Sequence, residues 1–204
     1  MKYITIDIET VPLEIKHEDI KTYLMDKKIS KERRSLDPNY SKIITIGIKE
    51  PNKEVKLMSG DDEKEILTEF WNILKENKDA ILVTHNGYQF DIPFILIRSV
   101  INKIKIPIPI NTNRWAMEKS NHFDTMMFFS QYGTFTNPNL GILGKMHGLD
   151  VPKNRISGAD VEKLYKNGEW EKIKNHCKED IEILEKLFEK LCLDYLDSKK
   201  SKVE

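Results

Sequence analysis

The chain has 204 residues, enough for one domain with a real hydrophobic core. Hydrophobic residues make up 39% and charged residues 32%, which excludes a polar disordered chain. No run approaches the roughly 18 apolar residues needed to span a bilayer. The 33 basic residues balance the 33 acidic ones, so affinity for a polyanion would require basic groups segregated from acidic ones.

The N-terminus, Met1 to Asp7, lacks the apolar segment of a secretory leader and reads as a strand, so a cytoplasmic protein is expected. Residues 3–9 alternate: Ile4, Ile6 and Ile8 leave one face, and Tyr3, Thr5, Asp7 and Glu9 leave the other. Residues 13–36 are polar and partly helical. They hold a basic cluster of Lys27, Lys28, Lys31, Arg33 and Arg34, and a second cluster is Lys199, Lys200 and Lys202. Either is a solvated surface or a contact for phosphates. After the turn at Asp37-Pro38-Asn39, Lys42 to Lys49 reads as a second strand, and Val55 to Met58 as a third. Ser59 to Asp62 cap a helix striped by Ile66, Leu67, Phe70, Trp71 and Leu74.

Ala80 to Thr84 is a buried strand running into His85-Asn86-Gly87, and a helix is expected over 92–104 with Pro93 in its first turn. Residues 105–122 read as irregular. From Asp124 onward the pattern predicts helices only, near 124–131, 139–147 and 158–167, then a long one over 169–197. Residues 198–204 are expected to be a disordered tail. Cys177 and Cys192 fit neither a CxxC nor a zinc spacing and are expected to be free thiols. The plan is α/β with a mixed sheet, in a single domain spanning 1–204.

Three acidic pieces stand out. Asp7 and Glu9, two apart on a strand, leave the same face. Side by side on a covered strand they would repel and lose hydration unless cations neutralised them; on an edge strand they would simply be solvated. Asp91, in Asn86-Gly87-Tyr88-Gln89-Phe90-Asp91, stands where a loop enters a helix and could be a plain N-cap. His176 and Asp180, four apart, share a helix face beside the apolar stripe, with an exposed pair as the plain alternative.

In order, these pieces resemble the Exo I, II and III motifs of the DEDD exonuclease superfamily. Asp7-Ile8-Glu9-Thr10 resembles Exo I, Asn86-x-x-x-Phe90-Asp91 resembles Exo II, and His176-x-x-x-Asp180 resembles Exo III. Leu36-Asp37-Pro38, His122-Phe123-Asp124-Thr125-Met126, Leu140 to Leu149, and Ser157-Gly158-Ala159-Asp160-Val161 are similar to stand-alone exonucleases related to the proofreading domain of family-B DNA polymerases. Residues 13–36, a variable insertion, match least. The resemblance implies an RNase H-like (DnaQ-like) fold with a mixed central sheet flanked by helices.

The same resemblance implies a 3′–5′ exonuclease acting most readily on single-stranded DNA. Asp7, Glu9, Asp91 and Asp180 would hold two Mg²⁺ or Mn²⁺ ions, and Thr10, Leu13, Asn86 and Phe90 would contact the nucleic acid. The other readings are an RNase D-type exoribonuclease and a catalytically silent nucleic-acid-binding accessory module. One departure concerns Exo III. One branch of the superfamily has Tyr-x3-Asp and the other His-x4-Asp, whereas this chain places His176 at the tyrosine spacing. His176 is then either a passive group or carboxylate partner, or the residue that positions or deprotonates the attacking water.

Overall fold

The computed structural model describes residues 1–113, 115, 121–153 and 155–200, with Lys31, Glu32, Lys199 and Lys200 described by their backbone alone. The isoleucine alternation forms β1 (Tyr3–Pro12), which becomes the centre of a five-stranded sheet. β2 (Ser41–Lys49) pairs with it antiparallel, and β3 (Lys56–Ser59) continues antiparallel beyond β2. On the other side β4 (Ile81–Thr84) pairs parallel with β1, and β5 (His122–Asp124) pairs parallel with β4. The order is β3-β2-β1-β4-β5. β5 falls where irregular chain was expected at 122, because three residues are too few to show a period of two.

Between β1 and β2 lie α1 (Glu18–Asp26) and α2 (Lys31–Ser35). Helices cover both faces of the sheet. Ile4, Ile6 and Ile8 pack against α3 (Glu63–Glu76) and α4 (Asp91–Ile101) through Leu67, Phe70, Trp71, Ile92 and Ile95. Tyr3, Val83 and Phe123 pack on the opposite face against α8 (Trp170–Leu191), through Leu184, Leu187 and Phe188. Along that side run α5 (Thr125–Ser130), α6 (Leu140–Met146), a 3-10 turn (Gly158–Asp160) and α7 (Val161–Lys166). The long helix expected over 169–197 is broken at Cys192, and α9 (Leu193–Lys200) carries helix through 198–200, where a disordered tail was expected. Residues 201–204, with Lys202, lie outside the described residues.

Three features set the positions of the elements that matter below. The β1–β2 register shifts between Glu9 and Thr10, where β2 carries Ile44 as an extra residue. Bulges of this kind re-aim neighbouring side chains and favour active sites. A buried ion pair, Arg98 with Glu63, locks α4 to α3, and Glu63 also accepts from the Ile43 amide of β2 (2.7 Å). Gly47 of β2 lets α8 approach closely, since a Cβ there would stand 2.2 Å from Ile181 Cδ1 and 2.7 Å from Cys177 Sγ. Gly47→Ala should therefore cost about 1–3 kcal/mol, the usual range for overpacking a tight core. Denaturant melts of the two proteins check this, and equal midpoints would show that α8 adjusts freely.

Candidate active site

β1 delivers Asp7 and Glu9 to the face covered by α8. The strand is central and buried on both sides, so these acids are not in open water: Glu9 is buried and Asp7 partly buried. Asp91 arrives from the turn between β4 and α4. That turn puts Asn86 in the left-handed region (φ 72°) and is held by Asp124, whose carboxylate accepts from the amides of Asn86 (2.9 Å), Tyr88 (3.0 Å) and Met127 (3.1 Å). Asp91 is buried, and its carboxylate accepts hydrogen bonds from its own amide and from the amide of Ile8, between the two β1 acids. α8 supplies the rest. His176 Nε2 lies 3.7 Å from Glu9 Oε1, and its Nδ1 lies 3.9 Å from Asp180 Oδ1.

The acids are electrostatically uncomfortable. Burial, then the charges of Glu9 and Asp91, push Asp7 well above its usual range. Burial and Asp91 raise Glu9 to about 8. Burial, followed by Asp124 as the nearby charge, raises Asp91 to about 7. His176 moves the other way, to about 4, because burial and a neighbouring arginine both disfavour its cation. That neighbour is Arg155, which the sequence reading did not single out. It ion-pairs with Asp180, and its charge also acts on Asp7 and Glu9. No periodicity or motif marks it, because it sits on the irregular chain between α6 and the 3-10 turn.

A cleft of about 510 Å³ opens over this cluster. Asp7, Glu9, Thr10, Phe90, His176 and Asp180 all line it, with Arg155 among them. Asp91 lies beneath, only 3% exposed. Leu13 and Asn86 are not part of the lining; the Leu13 amide donates to the Tyr40 carbonyl (2.8 Å). From the segment at 13–36 the residues that reach the cleft are Ser35 and Leu36, with Leu36 63% exposed. Thr10 Oγ1 donates to the Ser35 carbonyl (2.7 Å) and so ties that segment to β1.

Family comparison fits this geometry. A family model described as a predicted 3′–5′ exonuclease related to the exonuclease domain of PolB matches residues 35–185. The chain belongs to that family. The exonuclease match takes in Asp91, His176 and Asp180 and begins after Asp7 and Glu9. Among solved structures the chain is similar to the family B DNA polymerase of the hyperthermophilic archaeon Pyrobaculum calidifontis, with a TM-score of 0.70 and 15% identity over 93% of this chain and 24% of the polymerase. That likeness establishes the RNase H-like fold, and this exonuclease-family chain spans about a quarter of the polymerase's length. No curated relative matches the sequence.

The cluster suits a hard divalent cation. Its donors are carboxylate oxygens, which favour Mg²⁺ or Mn²⁺ over softer metals. Asp7 and Glu9 bring ligand atoms within 4.8 Å of each other and of Cys177 Sγ. Burial and the nearby acids hold the Cys177 thiol well above its usual range, so it stays protonated and is a poor ligand. Asp180 Oδ1 lies at the cleft against the Arg155 guanidinium, so one cationic group already faces the oxygen that a metal ion would take.

Proposed function

We propose that the protein hydrolyses phosphodiester bonds from the 3′ end of single-stranded DNA with two Mg²⁺ or Mn²⁺ ions. The observation that carries this reading is convergence. Carboxylates from β1 and α8 line one cleft, with the α4 carboxylate near enough beneath to act on the β1 acids, in a chain of the exonuclease family. Asp7, Glu9 and Asp180 would hold one ion, and Asp7 with Asp91 the other. Bound there, divalent ions supply activation of water and stabilisation of the charge that builds on phosphate.

The protein's own groups do the rest. His176 is neutral at pH 7 and lines the cleft, so its unprotonated ring nitrogen could accept a proton. Phe90 offers an apolar ring to the terminal base, a contact worth about 1–3 kcal/mol that tolerates any sequence. Arg33, exposed on α2 two residues before the cleft-lining Ser35, would be the first basic side chain of this segment to meet phosphates. The two cysteines are free and buried, in keeping with a reducing compartment, and we assign the protein to the cytoplasm.

Digestion of a 5′-labelled oligonucleotide tests the reading. With Mn²⁺ or Mg²⁺ a ladder should shorten from the 3′ end, stop with EDTA, and run faster on single strands than on blunt duplex. Matched RNA ends in the same assay separate a deoxyribonuclease from the RNase D-type alternative. Clean protein that leaves every substrate intact would make the chain an accessory binder. Across pH, His176→Tyr should change the acid limb of the rate profile; superimposable profiles would remove His176 as the base.

A further inference from the structure

Among the described residues two arginine–carboxylate pairs differ in construction: Arg98 with Glu63 is buried, and Arg155 with Asp180 is half-buried. Arg98 is fully used: its Nε donates to both Glu63 oxygens (2.9 and 3.1 Å), Nη2 donates to Glu63 (2.6 Å), and Nη1 donates to the Pro38 carbonyl (3.1 Å). This satisfied pair is a structural clamp. Arg155 is not satisfied. It ion-pairs with Asp180, yet its Nε is buried without a hydrogen-bond partner among the described residues. An orphaned buried donor costs about 1–3 kcal/mol, so the side chain pays for this seat.

The seat itself is made to fit. A Cβ at Gly141, in the first turn of α6, would stand 2.3 Å from Arg155 Nη1, so the missing side chain leaves room for the guanidinium. The chain is anchored at Val151 and at Ser157. Val151 is buried in the α8 core, and Ser157 caps the 3-10 turn by donating its amide (3.1 Å) and hydroxyl (2.8 Å) to Asp160. What can move is the long side chain, 16% exposed at the cleft.

We propose that Arg155 is the resident cation of the carboxylate cluster: it holds Asp180 while no metal is bound, and yields that carboxylate when divalent ions load. This rests on the reading of the cluster as a metal site. One guanidinium charge cannot neutralise four acids, whereas two divalent ions can. Arg155 thus partners Asp180 in the metal-free cleft and competes with the ions that replace it.

Mn²⁺ binding to metal-free protein, without nucleic acid, tests this by calorimetry and by electron paramagnetic resonance of the free ion. Arg155→Ala and Arg155→Met should bind Mn²⁺ about tenfold tighter than wild type, the scale of losing one charged hydrogen-bonded competitor. Both should melt lower in EDTA and gain more on adding Mn²⁺. Unchanged or weaker binding by folded variants overturns the proposal. Wild type that takes up no Mn²⁺ overturns the metal-site reading beneath it. Should the variants fail to fold, the wild-type Arg155 Nε–H resonance, assigned by its loss in Arg155→Lys, decides: it should move as Mg²⁺ saturates the site. A resonance that stays put through saturation contradicts displacement.

Discussion

Asp7→Asn lowers turnover by about 10³-fold or more while raising the melting temperature of the protein in EDTA. The first effect follows from Asp7's place between the β1, α4 and α8 acids, where it would serve both ions. Metal-borne charge stabilisation supplies several kcal/mol, and each 1.36 kcal/mol is about tenfold in rate. The second effect follows from crowding. Burial and repulsion from Glu9 and Asp91 already push Asp7 well above its usual range, so a neutral amide of the same shape relieves both. Turnover and melting curves measured on the same preparation check the pair of signs. A variant that lost activity and stability together would make Asp7 a structural residue.

Metal-free protein should also become less stable as pH rises from 6.5 to 8.5. Glu9 titrates at about 8 and Asp91 at about 7 in the folded protein, against about 4 for such groups in an unfolded chain. Folded pKa values above unfolded ones mean that the native state binds more protons over this window. Their favourable contribution is complete below pH 4 and is lost as pH climbs through 7 and 8. His176, depressed to about 4, acts in the opposite sense, but only below its unfolded value of about 6.5, so it does not mask the alkaline slope. A loss of about 1–3 kcal/mol is the expected scale, or about 3–10 °C in melting temperature for a chain of this size. Saturating Mg²⁺ should flatten the curve by keeping the carboxylates ionised at no cost. Melting temperatures with EDTA and with Mg²⁺ across that window measure it. Parallel curves would mean that the acids do not bind the ion.

Much of this architecture was legible from residues 3–9, where alternating isoleucines and acids specify a strand covered on one face and chemically busy on the other. The spacing of His176 to Asp180 was equally readable because both stand on one helix, and that of Asn86 to Asp91 because the turn and the first residue of α4 are contiguous in the chain. What escaped was non-local. β5 is three residues long and exists through its pairing with β4. Asp124 holds a turn through amides 38 and 36 residues upstream, which no local pattern reveals. Arg155 reaches the acids from irregular chain, and its space depends on a glycine in another helix. Leu36 reaches the cleft where Leu13 was expected, because the Thr10 hydroxyl fastens the end of the 13–36 segment over the site.

The central claim is that separate stretches of the polypeptide build one cation-binding centre, and a Mn²⁺-soaked crystal tests it most directly. Anomalous difference density should show manganese among Asp7, Glu9, Asp91 and Asp180, with the Arg155 guanidinium turned away from Asp180. Ordered carboxylates with no anomalous peak between them, and Arg155 still on Asp180, would contradict it.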